Sequence, residues 1–215
     1  MSVNLHAYRQ SYEKSSLDEK DLSKDPIQQF QKWIQEVESS GTVLEVNAMT
    51  LTTIDASGYP RSRVVLLKQV DANGFYFYTN YQSLKGQAIE KNNKVSLSFF
   101  WPDLERQVII LGSAEKISEK ESEAYFHSRP RGSQIGALVS PQSTPIPNRE
   151  FLENRLKEIT EEHKDIALIP KPKHWGGYIV KPVSMEFWQG RPNRLHDRVE
   201  YVKKENRWTK QRLAP

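Results

Sequence analysis

Apolar positions in the N-terminal part of the chain predict a polar arm followed by one amphipathic helix. Residues 1–24 are polar, carry charges of both signs and show no apolar period, so we predict a mobile N-terminal arm. Asp25-Pro26 is typical of a helix start, because an N-cap is followed by proline, and Gly41 is typical of a helix end. The apolar residues at helical spacing between them are Ile27, Phe30, Ile34 and Val37.

The pattern after Gly41 predicts β-strands joined by turns. The predicted strands are rich in β-branched and aromatic residues and cover residues 46–55, 61–70, 75–80, 95–101, 106–118, 176–188 and 198–213. The turn sequences ASGYP and DANG separate the first three. Strands that meet in tight turns, with short helices between them, favour an antiparallel sheet that closes into a barrel.

Helices are predicted between these strands. One short helix covers residues 83–91, and residues 119–139 predict two helices separated by a break at Arg129-Pro130. A charged helix over residues 148–164 follows the proline-rich loop SPQSTPIPN. The predicted fold class is therefore mainly β with α, an α+β protein. Its arm covers residues 1–24, and residues 25–215 form a single domain.

Composition narrows the function classes. The net charge of +4 suits an anionic small ligand as well as it suits nucleic acid. There is no cysteine, which excludes disulfides and thiolate chemistry, and the five histidines are scattered without a metal-binding motif, so we expect no metal site. No apolar stretch approaches the length of a membrane helix and the N-terminus has no signal-peptide core. We therefore expect a cytoplasmic protein.

Two segments next to predicted strands have the chemistry to bind an anion. RVVLLK places Arg63 and Lys68 around an apolar run, where each needs an anionic partner or solvent. Because they are five positions apart, a regular strand points them to opposite faces, and both reach one ligand only near a bulge or a strand end. The alternative is two edge residues whose charged groups lie in water. In YTNYQSLK, Lys85 lies in the first turn of a helix and could add charge to a phosphate site, but Ser83 could equally be a simple N-cap.

The segment YFHSRPRGSQIG is typical of a phosphate clamp. Arg129, Arg131 and Ser133 cluster around a proline-fixed break between helices, with Tyr125 one turn earlier. We interpret His127 in the same segment as structural.

The segment FWQGRPNRLHDR holds the densest cluster of cations in the chain. If it is extended, Arg194, His196 and Arg198 share one face, and their repulsion requires an anion among them. Trp188 either lies flat against a planar ring or is a core residue at a strand end.

None of these segments pairs a nucleophile with a base, or two carboxylates at a catalytic spacing. The chain instead offers cations, hydroxyls and aromatic rings. This inventory suits binding of two phosphorylated aromatic molecules, with the difficult chemistry carried by a cofactor.

The chain resembles the pyridoxamine/pyridoxine 5′-phosphate oxidase family in six segments that occur in the same order between residues 5 and 215. These are RVVLLK, FYTNYQSLKGQ, LERQV, YFHSRPRGSQIGALVSPQS, FWQGRPNRLHDR and the terminal RLAP. The resemblance implies an FMN-dependent homodimer with a split β-barrel fold. It also implies oxidation of pyridoxine or pyridoxamine 5′-phosphate to pyridoxal 5′-phosphate by hydride transfer to FMN, with O2 as the acceptor and hydrogen peroxide as a product.

The resemblance also implies roles for individual residues. FMN contacts would come from Arg63, Val64, Val65, Leu66, Leu67, Lys68, Tyr78, Thr79, Lys85, Gln107, Gln142, Ser143, Trp188 and Arg198. Substrate contacts would come from Lys68, Tyr125, Arg129, Ser133, Arg194 and His196, with Arg9 and Tyr12 in an N-terminal lid. Arg194 and His196 would be the catalytic pair that orients the substrate. Leu84 replaces an Arg that is usual in the family, and Arg191 matches no functional position and is expected to tolerate change.

Two other function classes stay open at this level. A flavin-binding split-barrel carrier or a reductase with a different substrate would not need a second phosphate site. The residues that argue against this class together are Tyr125, Arg129, Ser133, Arg194 and His196. A nucleic-acid-binding barrel would present a basic face with exposed stacking aromatics. The resemblance favours the oxidase, with small phosphorylated substrates and neither nucleic acid nor a membrane as a partner.

Overall fold

A computed structural model describes residues 2–205 and 207–215. Across these residues the chain forms nine strands and five α-helices, which confirms the predicted mixture of β and α structure. The strands are β1 Ala48–Ile54, β2 Pro60–Leu66, β3 Gln69–Asp71, β4 Gly74–Asn80, β5 Lys94–Trp101, β6 Arg106–Lys116, β7 Trp175–Gln189, β8 Asp197–Lys204 and β9 Arg207–Leu213. The helices are α1 Pro26–Ser40, α2 Leu84–Lys91, α3 Glu119–Ser128, α4 Arg131–Val139 and α5 Arg149–Glu162.

The strands are hydrogen-bonded in the order β2-β1-β5-β6-β7-β4-β3, and β8 and β9 extend from β7. The pairs β3–β4, β4–β7, β7–β8 and β8–β9 are antiparallel. In the β4–β7 pair, Tyr78 lies opposite Gly177 and Asn80 lies opposite Trp175. This register places the carboxyl end of β4 beside the start of β7.

The helix ends agree with the capping residues in the sequence. The Asp25 side chain accepts a hydrogen bond from the Ile27 amide at 2.8 Å, and Gly41 ends α1 at a φ of 65°. Ser83 caps α2, and Pro130 separates α3 from α4 as predicted. These ends depend on residues close together in the chain, so local sequence is sufficient to predict them.

Two predicted strands are each divided in the structure. The strand predicted over 61–70 ends at Leu66, and Lys68 lies in the short link before β3. The strand predicted over 198–213 is the hairpin of β8 and β9. Both segments are uniformly rich in β-forming residues, and a period-2 pattern shows where strand conformation is favoured but not where the chain reverses.

The chain divides into two compact units, each built from separate segments. The first unit contains residues up to Thr50, Ser96–Leu111 and Pro182–Pro215, and the second contains Leu51–Val95 and Gly112–Lys181. The single domain expected over 25–215 stays a prediction.

Each unit has its own aromatic core. In the first unit, α1 packs Phe30 against Phe99 with ring centroids 4.9 Å apart, and Trp33 against Phe187 at 5.1 Å. In the second unit, buried residues from α3, α4, the loop after α5 and the start of β7 form one cluster, which contains Phe126, Ile135, Val139, Ile169 and Trp175. None of the helices in the described parts of the chain has the length and apolar character needed to cross a membrane.

Candidate active site

The second unit contains a cavity of about 650 Å³, which we call the cationic cavity. It lies where β2 and β4 end and where α2, α3 and α4 meet them. Twelve predicted site residues line it: Arg63, Val64, Val65, Leu66, Lys68, Tyr78, Thr79, Lys85, Tyr125, Arg129, Ser133 and Gln142. Asn80, Pro130, Gly136, Ala137, Ser140 and Trp175 complete the lining.

Arg63 and Lys68 both line this cavity although a regular strand would separate them. β2 ends at Leu66, so Lys68 lies beyond the strand. The alternation of side chains between the two faces of a strand therefore does not determine where Lys68 points. One ligand can touch both residues either near a bulge or near a strand end, and in the structure it is the end of β2 that allows this.

Arg63 is fixed at the cavity wall by neutral acceptors. Its Nη1 donates to the Thr53 side chain at 2.9 Å and to the Leu51 carbonyl at 3.2 Å. Burial, followed by a smaller effect of Arg61, lowers the pKa of Arg63, but a guanidinium stays charged at physiological pH. Its positive charge is therefore held in place without neutralisation by these acceptors.

Lys85 is a buried cation, with 9% of the residue exposed. Its Nζ donates to Gln142 Oε1 at 2.9 Å and lies 3.3 Å from Ser83 Oγ. Gln142 Oε1 also accepts from Thr79 at 3.3 Å. Burial, with a smaller contribution from Arg63, lowers the pKa of Lys85 to about 8. Removal of the ammonium from water has lowered its affinity for a proton, and a bound anion would reverse this effect.

Three stacked rings form the aromatic wall of the cationic cavity. Tyr78 and Tyr125 stack with centroids 3.8 Å apart, and Tyr78 stacks on Trp175 at 5.6 Å. Burial raises the pKa of Tyr78 to about 12 and also raises the pKa of Tyr125, so both phenols are neutral donors at pH 7.

Arg129 lies against this wall. Its guanidinium is 4.7 Å from the centre of the Trp175 ring, a cation–π contact. Burial lowers the pKa of Arg129, and within the described residues its Nη1 is buried without a hydrogen-bond partner. A buried donor of a charged group without an acceptor is costly unless a ligand supplies one.

Sequence reasoning placed one arginine in this cavity incorrectly and missed a tryptophan. Arg131 donates instead to the carbonyls of Ile166, at 2.9 Å, and His163, so it fastens α4 to the loop after α5. Trp175 was missed because a Trp at the start of a strand looks like an ordinary core residue. Its role depends on the register with β4. His127 contacts the Ile169 carbonyl at 3.0 Å, in agreement with a structural role.

The first unit contains a second cavity of about 650 Å³, which we call the arm cavity. It is lined by Tyr8, Arg9, Gln10, Ser11, Tyr12, Arg191, Asn193, Arg194 and His196. The four predicted residues Arg9, Tyr12, Arg194 and His196 are therefore brought together, although they are far apart in the sequence.

The segment before β8 is not extended, which corrects one premise of the sequence reasoning. Asn193 and Arg194 have φ values of 57° and 61°, in the left-handed region that non-glycine residues seldom adopt. Such conformations at two adjacent residues cost energy and are commonly retained at functional sites. The turn presents Arg194 and His196 to the arm cavity.

His196 is held as a neutral donor. Its Nδ1 accepts a hydrogen bond from the Arg191 amide at 3.1 Å. Burial, and then the charge of Arg194, lowers the pKa of His196. The neutral ring with Nδ1 as acceptor carries its proton on Nε2.

Arg198 does not share a face with these two residues. It pairs with Glu186 through Nε at 2.6 Å and Nη2 at 3.0 Å, and Nη1 donates to the Ala214 carbonyl at 2.8 Å. The sequence predicted an anion among these cations. For Arg198 that anion is the carboxylate of Glu186 on the neighbouring strand β7. Trp188 is half-buried, with its ring edge-to-face with Tyr12 at 5.7 Å.

The remaining predicted FMN residues line neither cavity. Leu67 is buried, Ser143 follows Gln142 at a φ of 71°, and Gln107 donates to Ser98 at 3.2 Å. Their roles, with those of Trp188 and Arg198, stay predictions. Leu84, where the family usually has Arg, is 42% exposed at the start of α2.

The donor set of the cationic cavity fits a phosphorylated, planar ligand. In the described chain, no carboxylate forms an ion pair with Arg63, Lys68, Lys85 or Arg129, and Arg129 keeps an unused buried donor. Phosphate oxygens can satisfy such donors, and the stacked rings offer a flat apolar surface. The fold and the donors and rings of this site are typical of the split-barrel class of proteins, with a site suited to a phosphorylated aromatic molecule.

Comparison with known families gives the same class a name. The family model described as pyridoxamine 5′-phosphate oxidase matches residues 35–163, and the model of the pyridoxine 5′-phosphate oxidase C-terminal dimerisation region matches residues 175–215. The chain belongs to the pyridoxamine 5′-phosphate oxidase family.

Individual relatives extend this likeness over the whole chain. The pyridoxine/pyridoxamine 5′-phosphate oxidase of Christiangramia forsetii is 51% identical over 100% of both chains. That of Flavobacterium johnsoniae is 55% identical over 98% of this chain and 99% of the relative.

Solved structures show the same fold. PhzG from Burkholderia lata, solved with tetrahydrophenazine-1-carboxylic acid, is 28% identical with a TM-score of 0.85, over 91% of this chain and 95% of that one. An FMN binding protein from Nostoc punctiforme, related to pyridoxamine 5′-phosphate oxidase, is 14% identical with a TM-score of 0.71, over 90% of this chain and 100% of that one. At 14% identity the second likeness concerns the fold alone.

Proposed function

We propose that this protein is a homodimeric pyridoxine/pyridoxamine 5′-phosphate oxidase that uses FMN to form pyridoxal 5′-phosphate. The observation that carries the proposal is the cationic cavity, where several cations that have no carboxylate partner among the described residues lie beside a wall of stacked rings. Relatives named for this activity are about 50% identical over nearly the entire chain, and the matched dimerisation region supports the homodimer.

FMN would be held by residues at the ends of β2 and β4 and at the start of α2. Arg63 and Lys85 supply fixed positive charge for its phosphate, and Thr79 and Gln142 supply polar contacts beside Lys85. When bound, FMN accepts a hydride from the substrate and passes two electrons to O2, which yields hydrogen peroxide. The amine substrate also releases ammonia after hydrolysis.

The substrate phosphate would be held by Lys68, Tyr125, Arg129 and Ser133. Arg129 carries the unused buried donor, so it has the strongest physical need for a phosphate oxygen. Tyr125 stays a neutral phenol at pH 7, so its hydroxyl can donate without adding negative charge beside the phosphate. Together these residues form the substrate phosphate clamp.

Arg194 and His196 would orient the reacting end of the substrate. His196 offers an Nε2–H donor because its Nδ1 is occupied by the Arg191 amide. Arg194 adds fixed positive charge, and the arm residues Arg9 and Tyr12, which line the same cavity, would exclude water from it.

The structure gives no comparable support to the alternatives. A carrier or a reductase with a different donor has no use for the clamp around Arg129, whereas this chain holds a half-buried guanidinium there with Nη1 fully buried. A nucleic-acid-binding barrel needs exposed stacking rings, but Tyr78, Tyr125 and Trp175 are buried or half-buried and stack on one another.

The proposed function is tested with the purified FMN-loaded homodimer in air. With pyridoxine 5′-phosphate or pyridoxamine 5′-phosphate we expect equal amounts of pyridoxal 5′-phosphate and hydrogen peroxide. Pyridoxine and pyridoxamine without the phosphate are the matched controls and should react far more slowly, because Arg129 would then stay unsatisfied. Bound FMN without formation of pyridoxal 5′-phosphate would overturn the proposal in favour of the carrier or reductase.

A further inference from the structure

Two polar contacts tie the N-terminal arm to the chain at the start of β8, and an ion pair joins the two residues that make them. Arg191 Nη1 donates to the Ser15 carbonyl at 3.1 Å, and Asp197 Oδ2 accepts from the Leu17 amide at 3.0 Å. Arg191 Nε also lies 3.5 Å from Asp197 Oδ2. Arg191 therefore contacts both the arm and the residue that follows His196, although sequence reasoning gave it no role.

Gly190 supports the arm in a different way, by the absence of a side chain. A Cβ at this position would lie 2.7 Å from Cγ of Tyr12 and 2.8 Å from its Cβ, closer than carbon atoms can approach. Its three nearest atoms would all belong to Tyr12, and Gly190 has no left-handed φ. Glycine is therefore required at position 190 to leave room for the Tyr12 side chain, and not because of the backbone conformation of Gly190.

Tyr12 in this position closes the group of rings beside the catalytic pair. Its ring centroid is 5.8 Å from that of His196 and 5.7 Å from that of Trp188. Tyr12 and Arg194 both line the arm cavity. If the arm were displaced, His196 and Arg194 would face an open surface.

We propose that Gly190 and Arg191 are positioning residues that seat the N-terminal arm against Arg194 and His196 and thereby set the affinity for the substrate. The effect on substrate rests on the proposed function, whereas the seating of the arm does not. Arg191 acts on the arm through its guanidinium and on His196 through its backbone amide. Substitution of its side chain therefore disturbs the arm and leaves the hydrogen bond to His196 in place.

The test uses five variants of the full-length FMN-loaded protein. Three are the single changes Arg191→Ala, Gly190→Ala and Tyr12→Gly, and two combine Tyr12→Gly with each of the other changes. Each single change should raise KM for pyridoxine 5′-phosphate about tenfold, the loss expected when one charged hydrogen bond or one close packing contact is removed. The value of kcat should change less than KM. Adding Arg191→Ala or Gly190→Ala to Tyr12→Gly should change KM by less than about twofold, because the contact that they support is already absent.

A second readout does not need the substrate. Cleavage by trypsin after Arg9 and Lys14 should be faster in Arg191→Ala and Gly190→Ala than in the parent protein. Arg149→Ala is the matched control: it removes an arginine from an ion pair with Glu153, whose side chains are both more than half exposed, and should leave KM and arm cleavage unchanged.

Additive losses in the combined variants, or cleavage of the arm at the parent rate, would overturn the proposal. Faster cleavage of the arm in a protein that does not oxidise pyridoxine 5′-phosphate would retain the seating of the arm and reject the proposed function. The two failures are thereby distinguishable.

Discussion

Lys85 Nζ donates a hydrogen bond to Gln142 Oε1 across 2.9 Å. The two residues lie on opposite sides of α3 and α4 in the sequence, and the cationic cavity brings them together. Gln142 is neutral, so it cannot balance the charge on the Lys85 ammonium. Burial lowers the pKa of Lys85, so the ammonium loses its proton more readily. The arrangement is suited to an anion that supplies the missing charge, and FMN phosphate is the anion that we propose.

Removal of this charge should weaken FMN binding. For Lys85→Met we expect a dissociation constant for FMN raised roughly ten- to a hundredfold, since a charged hydrogen bond is lost and the side-chain volume is nearly kept. Titration with FMN, followed by quenching of flavin fluorescence, measures it. Lys91→Met, at the exposed end of the same helix, should bind FMN as the parent does; a similar loss in both variants would contradict a specific role for Lys85.

FMN affinity should fall as pH rises through about 8. Burial lowers the pKa of Lys85 from its ordinary value to about 8, so in the ligand-free protein the ammonium is charged below that pH and neutral above it. The FMN phosphate is a dianion above about pH 6, so binding should be strongest between these limits. Lys85→Arg keeps its charge and should lack the decrease near pH 8. The same decrease in this variant would assign the effect to another group.

Arg129 should control binding of the substrate phosphate and not of FMN. For Arg129→Met we expect KM for pyridoxine 5′-phosphate to rise roughly ten- to a hundredfold, because a buried charged donor is lost from the clamp. FMN content should stay at the parent level. Arg131→Met is the matched control. Arg131 donates to backbone carbonyls of the loop after α5, so its loss should lower the melting temperature without raising KM. A rise in KM for Arg131→Met alone would contradict the assigned roles.

Loss of the Arg194 side chain should lower the rate of turnover and leave FMN binding largely unchanged. Its left-handed backbone and its place in the arm cavity indicate a functional constraint. We expect Arg194→Ala to lower kcat/KM far more than it lowers FMN content, measured by the flavin absorbance of the purified protein. Equal loss of both would show that Arg194 is structural. Arg191→Ala provides a comparison, because it should raise KM with a smaller change in kcat.

Local features of the sequence predicted much of this architecture correctly. Asp25, Ser83 and Pro130 mark helix ends through contacts within a few residues, and the structure confirms each of them. The end of β2 also answers how Arg63 and Lys68 reach one cavity, a question that the sequence raised and left open.

Features that depend on strand register could not be predicted in this way. Arg198 was expected to share a face with His196, but it forms an ion pair with Glu186. The register of β7 with β8 aligns Trp188 with Arg198 and thereby brings Glu186, two residues before Trp188, next to Arg198. Trp175 enters the cationic cavity for a similar reason, through its alignment with Asn80. Arg191 was overlooked because its partner Ser15 lies 176 positions away in the chain.

Hydride transfer from a phosphorylated vitamin B6 substrate to a bound flavin is the step that we propose for this chain. The most direct measurement is the visible spectrum of the purified yellow protein, mixed with pyridoxamine 5′-phosphate in the absence of oxygen. We expect the flavin absorbance to bleach, one pyridoxal 5′-phosphate to form for each flavin, and air to restore the colour. A flavin spectrum that stays unchanged with pyridoxamine and pyridoxine 5′-phosphates would contradict it.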